Sequence, residues 1–203
     1  MVRALLGAGA VGLGAIAYSR YIKAVARGDI RTHVVSWLIW AGVAAIGLTA
    51  QVKGHAGPGS WVTGAVLVAA LAVFVTTFRR YPVVVTAIDC VCITAVIGSA
   101  VVWWVTSMPL LSVCIICLID AAGFLPTARM SVRDPHRESA AMFAVNGTKY
   151  VLSIAAMWPP SLINGLYPVS LIGTHFCFVV FLLVRRSQMR REVANCVNKV
   201  GHQ

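Results

Sequence analysis

Residues 79–105 read RRYPVVVTAIDCVCITAVIGSAVVWWV, two arginines followed by a long apolar run in which Asp89 is the one charge. About 20 apolar residues wound as a helix cross the ~30 Å hydrocarbon core of a bilayer. A basic pair at one end is what the cytoplasmic end of such a span carries. The same alternation of apolar run and basic cluster continues in both directions from this stretch. It gives spans at about 3–19, 34–52, 61–78, 83–105, 109–127, 140–158 and 167–184. The fold expected is all-α and integral to a membrane, with seven transmembrane helices.

Composition agrees. The 203 residues are 59% hydrophobic and 11% charged, where a soluble domain carries roughly a quarter charged residues. That balance excludes a soluble two-domain enzyme, a disulfide-rich secreted module and a disordered chain. The formal charge of +11 suggests a nucleic-acid partner until the charges are placed. Lys and Arg cluster at Arg20–Arg31, Arg79-Arg80, Arg129–Arg137 and Arg185–Lys199, so every second loop is basic. Fourteen of the seventeen lie on one side, leaving Arg3 and Lys53 on the other and Lys149 inside a span. By the positive-inside rule the N-terminus is outside and the C-terminus inside. The basic charge then reports topology and contact with the lipid bilayer, and no nucleic acid is called for. Ala15-Ile16-Ala17 has the look of a signal-peptidase site, but the basic residues just downstream of it favour the opposite orientation. Usage rich in Ala, Val, Gly and Arg points to a bacterial plasma (inner) membrane.

The chain also matches itself. A shift of 106 residues lays Lys23 on Arg129, Arg27 on Arg133, Trp37 on Phe143, Gly59 on Gly165 and Arg79-Arg80 on Arg185-Arg186. Spans 1–3 thereby map onto spans 5–7 with span 4 left over, and an even number of spans between copies makes the repeat parallel. The division expected is a first three-helix repeat at 1–80, a linker helix at 81–107, a second repeat at 108–186 and a cytoplasmic basic tail at 187–203.

Three spans, a linker span and three more resembles the SWEET sugar transporters and the wider PQ-loop superfamily. The segment from Asp120 through Pro126-Thr127 to Arg129 is similar to the proline-containing end of a repeat's first helix in that superfamily. Pro126-Thr127 stands where those proteins have Pro-Gln, Arg20-Tyr21 occupies the aligned place in the first repeat, and spans 3 and 7 lack the asparagine of the sugar-transporting members. The resemblance implies a carrier fold with a midplane site; a sugar substrate does not follow from it. Pro126-Thr127, where proline leaves a carbonyl unsatisfied one turn before it, reads equally as a hinge at the cytoplasmic mouth or as a plain helix terminus before Pro135 and its charges.

Ionisable side chains inside spans are costly and so mark function. Counted from the nearest basic anchor at 1.5 Å per residue, Asp89, Asp120, Lys149 and His175 all fall ~13–18 Å deep, with Asn146 one turn before Lys149. Trp37 and Trp40 would form an aromatic wall opposite. Asp120 and Lys149 read as an ion pair between consecutive spans, either switchable by substrate or a permanent clip. Asp120 would bind a proton or a substrate ammonium, Lys149 an anion, and Asn146 a hydrogen-bonding group. His175 is equally a core histidine, and Asp89, in the linker, is more naturally structural. Cys114-Ile-Ile-Cys117 has redox spacing without partners and reads as packing. No enzyme motif, metal site or cofactor is called for. The function expected is a small-solute membrane transporter, facilitative or proton-coupled. A non-transporting receptor, sorting or assembly protein of the same fold is the alternative, and homo-oligomerisation stays open.

Overall fold

The computed structural model describes the backbone of residues 1–106 and 108–200, and their side chains except at 109, 126 and 193–200. Every regular element within them is helical. The α-helices are α1 (Val2–Arg27), α2 (Val34–Lys53), α3 (Trp61–Arg80), α4 (Ala87–Thr106), α5 (Pro109–Arg133), α6 (Ala140–Ala156) and α7 (Leu162–Val200). Single 3-10 turns at Gly57–Ser60 and Pro135–Arg137 lead into α3 and α6.

Six stretches are long and apolar enough to cross a membrane: Val2–Arg27, Val34–Lys53, Gly57–Arg80, Ala87–Thr106, Leu110–Arg133 and Leu162–Glu192. The chain is thus built as a multi-pass membrane protein. The stretch expected as a seventh span is the exception. Helix α6 has 17 residues with Lys149 among them, a rise of roughly 25 Å against a ~30 Å core.

Side chains divide as a bilayer requires. Leu5, Val68, Val91, Trp104, Leu118 and Val180 point outward, while Ser36, Gln51, Thr77, Asp120 and Asn146 are inside. In lipid, polar groups must find their partners within the protein; Ser36 and Thr77 do, on the Gly123 and Val73 carbonyls, whereas the Gln51 amide has none.

The helices pack in a closed order. α1 lies on α3, α3 on α2, α2 on α5, α5 on α7, α7 on α6, and α6 back on α1, making a ring of six. α4 stands outside the ring against α5 and α2. Among the described residues the backbones of α1 and α2 do not pack directly, nor do those of α5 and α6. The third helix of each trio lies between them, and long aromatic side chains such as Tyr21–Trp37 and Phe124–Phe143 meet across the gap.

Several features recur at a spacing of 106. α1 ends at Arg27 and α5 at Arg133. α2 is capped by His33, whose side chain accepts the Ser36 N–H, and α6 by Ser139, which accepts the Met142 N–H. The Arg31 N–H donates to the Arg137 carbonyl at 3.1 Å, a direct contact between two such positions.

Several boundaries differ from the sequence reading, α1 running on to Arg27 instead of ending near 19 and α7 starting at Leu162 rather than 167. α4 starts at Ala87 rather than 83, because Pro82 and the three valines after it stay extended and Thr86 caps the helix. The Thr86 N–H and hydroxyl both donate to Asp89 Oδ2 at 2.8 Å, a capping box. α5 runs through Pro126 to Arg133 instead of stopping at 127. α7 continues as one helix through the basic segment that was read as a separate tail.

Candidate functional site

The ring encloses a cavity of about 30 Å³ to which all six of its helices contribute, and α4 does not. A water needs roughly 10–15 Å³ measured this way, so the cavity holds about two. Its polar lining is Tyr18, Asp120, Asn146, Tyr150, Tyr167 and His175; Trp37, Trp40, Phe124 and Phe143 supply aromatic walls. The rings pack edge to face or tilted, with Trp37–Trp40 centroids at 5.0 Å, Trp40–Phe124 at 4.9 Å and Phe124–Phe143 at 5.8 Å. Such pairs hold one another rigidly.

Asp120 is 2% exposed. Its Oδ2 accepts one long hydrogen bond, 3.4 Å from Thr174 Oγ1, and the Trp40 indole N–H reaches its backbone carbonyl at 3.4 Å. A carboxylate so buried is usually paired or densely hydrogen-bonded, and this one is neither. Asn146 donates from Nδ2 to Met142 Sδ at 2.9 Å, and its Oδ1 is buried without a partner. His175 Nδ1 lies 2.8 Å from the Leu171 carbonyl. A carbonyl only accepts, so Nδ1 carries the hydrogen and Nε2 is left as an acceptor. The cavity therefore offers a carboxylate, an amide oxygen and an imidazole nitrogen to whatever enters.

Of the residues singled out from sequence, Asp120, Asn146, His175, Trp37 and Trp40 meet at this cavity. Lys149 does not line it and makes no ion pair with Asp120. Its side chain, 1% exposed, runs between α6 and α1, with Nζ 4.5 Å from the Tyr18 ring centroid and 5.3 Å from that of Tyr150. The expected pair fails because consecutive helices were assumed to be neighbours. α7 separates α5 from α6, so Asp120 faces α2 and α7 while Lys149 faces α1. Gly14 makes room for the lysine: a Cβ there would stand 3.2 Å from Lys149 Cδ. Gly14 is also the position 106 residues before Asp120.

Asp89 lies far from the midplane. It sits in the first turn of α4, fully buried, holding Thr86 and standing 3.7 Å from His33 Nε2. The depth count misplaced it because the chain after Arg80 is extended rather than helical. Thr127 is buried on the α2–α5 seam and donates to Ser36 Oγ at 3.3 Å. Pro126 lies within α5, and its side chain falls outside the described part of the structure. Cys114 and Cys117, read as packing, are free thiols; Cys117 is half-buried, while Cys114, like Cys90 and Cys177, is exposed on the helix surface.

Sequence reading missed a second polar layer, at the end of the ring that carries the arginines. Glu138, 2% exposed, accepts from the Tyr21 hydroxyl at 2.8 Å and the Ser139 N–H at 3.0 Å. Its backbone carbonyl takes Arg186 Nη2 at 2.7 Å, and Trp37 Nε1 donates to Thr32 Oγ1 at 3.0 Å. Burial lifts the Glu138 carboxyl to about 7, against the pull of those hydrogen bonds. The available signal was an acid directly before a helix-capping serine; counting only charges inside spans passed over it.

The opposite end closes differently. Asn164 Nδ2 donates to the Gly54 carbonyl at 2.9 Å, Ser153 Oγ donates to the Gly59 carbonyl at 2.8 Å, and Arg3 stacks 4.1 Å above Trp158. The cavity lies between these two closures. Comparisons with family models, with curated proteins and with solved structures find no match to this chain.

Proposed function

We propose that this chain is a small-solute carrier of the bacterial plasma membrane. In this reading all seven α-helices cross the bilayer with the N-terminus outside and the C-terminus inside. The trios α1–α3 and α5–α7 act as two parallel bundles of SWEET and PQ-loop type. The six-helix ring and the features that recur at 106 residues support the bundles, and the arginine-bearing helix ends support the orientation. α6, short for a span, packs between α1 and α7 and keeps one narrow outward stripe at Ala141, Thr148, Val151 and Ala155.

The observation that carries the reading is the central cavity lined by every ring helix, with an under-partnered carboxylate, an unpartnered amide oxygen and a cage of aromatic rings. Acceptors and ring faces together suit a solute bearing an ammonium or several N–H and O–H donors. Asp120 binds it or carries a coupled proton, Asn146 and His175 accept its hydrogen bonds, and the tryptophans cover its apolar body. Alternating access would open one closure at a time and enlarge the cavity between them.

The test is uptake into proteoliposomes across a panel of sugars, amino acids, organic acids and organic cations. Asp120→Asn is expected to abolish uptake of the solute found, while Asp89→Asn, at the α4 cap, leaves it within about twofold. Equal effects of the two substitutions would remove Asp120 from the site. No flux for any solute, together with a stoichiometric co-purifying partner, would favour a receptor or assembly role.

A further inference from the structure

A second concavity lies outside the ring. Where α2, the linker before α4 and the end of α5 meet, they leave a groove of about 590 Å³. Arg31, Arg129 and Arg133 line it, and no acidic side chain does. Two observations separate it from an ordinary solvated basic face. Three guanidiniums converge on one hollow, and none of them makes an ion pair among the described residues, whereas Arg137 and Arg185 at the same end are paired with Asp134 and Glu192. The carboxyls nearby are already engaged. Asp89 is held by Thr86 and His33. Asp134 and Glu138, which line an adjoining hollow with Arg31 and Arg133, are held by Arg137 and by Tyr21 with the Ser139 N–H, respectively. Arg129 and Arg133 stand one turn apart on α5, and Arg31 is held 5.7 Å from the centre of the Tyr81 ring.

The other wall is apolar. Val84 and Ile88 from the linker side face Leu125 and Met130 of α5 across the groove. Val83 and Val85 continue that surface and are themselves exposed. An isolated phosphate would use only the arginines, and an acyl chain only the valines and Leu125. A phosphate joined to hydrocarbon uses both, and guanidinium forks match phosphate oxygens in pairs.

We propose that this groove binds an anionic phospholipid, its phosphate held by Arg31, Arg129 and Arg133 and the head of its acyl chains laid along the linker valines and Leu125. The site asks only that the helices be embedded in a membrane; it is independent of whether the central cavity carries a solute. An occupied groove would join the linker to both bundles.

The test uses the purified full chain, delipidated in detergent and titrated with phosphatidylglycerol or with phosphatidylcholine of the same chains, binding being read by native mass spectrometry. Phosphatidylglycerol is expected to bind at least tenfold more tightly. Replacing any one of Arg31, Arg129 or Arg133 by Gln should weaken it roughly fivefold, as for a basic residue at an anionic surface. The control triple Arg20→Gln, Lys23→Gln and Arg27→Gln removes three charges from α1, outside the groove, where each groove variant removes one, and should still leave the preference intact. Equal loss in that triple would mean diffuse attraction and would overturn the site, as would equal affinity for the two lipids. Displacement of phosphatidylglycerol by inorganic phosphate at similar concentration would overturn the lipid assignment in favour of a soluble phosphoryl ligand. Each groove variant loses one exposed arginine only, so folding is preserved and the comparison stays decisive.

Discussion

Glu138 is a carboxyl group kept from water where two helices of different trios meet, and its protonation is linked to the stability of that junction. Its value in the folded protein, about 7, lies above the ordinary 4.5. The folded state therefore holds the proton more tightly than the unfolded one. The stabilisation is complete below pH ~4.5 and is lost as pH rises through ~7. The gap corresponds to roughly 3 kcal/mol. Glu138→Gln keeps a neutral acceptor for the Tyr21 hydroxyl and has no proton to lose. Melting of the wild type should fall relative to the variant between pH 5 and pH 8 in the same detergent. Parallel profiles across that range would show that Glu138 does not titrate in the folded protein. Asp120 is the acid of interest for function, and the depth count alone does not distinguish it from Asp89; only its place in a repeat rather than in the linker does. Both are single acids in apolar runs, about equally far from an arginine pair or anchor. They differ in the backbone between anchor and acid, helical for Asp120 and extended for Asp89.

At the scale of elements, the α1–α6 seam is set by a small residue facing a long one. Gly14 has no side chain, and the methylenes of Lys149 occupy the space, delivering Nζ to the faces of Tyr18 and Tyr150. Gly14→Val should destabilise by about 1–3 kcal/mol through overpacking. Combining it with Lys149→Ala should recover most of that loss, because the second change vacates the volume the first one fills. Additive losses in this cycle, measured by thermal unfolding, would mean that the two side chains do not meet. Helix existence was legible from the sequence because apolar length and basic ends are strong signals of a membrane solvent. α2 and α3 begin at the expected residues, 34 and 61. Helix ends were less legible where a local device competes with the run: Thr86-x-x-Asp89 caps α4 late, and α5 continues through Pro126. The cavity lining was legible for Asp120, Asn146, His175, Trp37 and Trp40, where an unbroken helix links anchor to site. The Asp120–Lys149 pair was misread because sequence order does not say which helices are neighbours, and in this ring the third helix of each trio lies between the other two.

At the scale of the molecule, the proposed carrier requires the two trios to part at one end while they stay closed at the other. At the basic end the contact to break is defined. The backbone of Arg31, in the loop from α1 to α2, donates to the backbone of Arg137, in the loop from α5 to α6. A backbone hydrogen bond of 3.1 Å holds the two α-carbons within the ~4.4–6.8 Å that a disulfide spans. Arg31→Cys with Arg137→Cys, in a background whose native cysteines are replaced by Ala, should form a disulfide on oxidation. The oxidised protein should stay folded and melt higher, by the few kcal/mol that closing a long loop contributes. Its solute uptake should fall to the level of empty liposomes and return when reductant is added. The reduced double variant controls for the loss of both arginines, including the one that faces the lipid groove. A transport cycle that opens this junction cannot run through a covalent bridge across it. Undiminished uptake by the oxidised protein, with the bridge confirmed by mass, would mean that α1–α3 and α5–α7 do not separate at this end, and the two-bundle mechanism would have to be abandoned even if Asp120 proved essential.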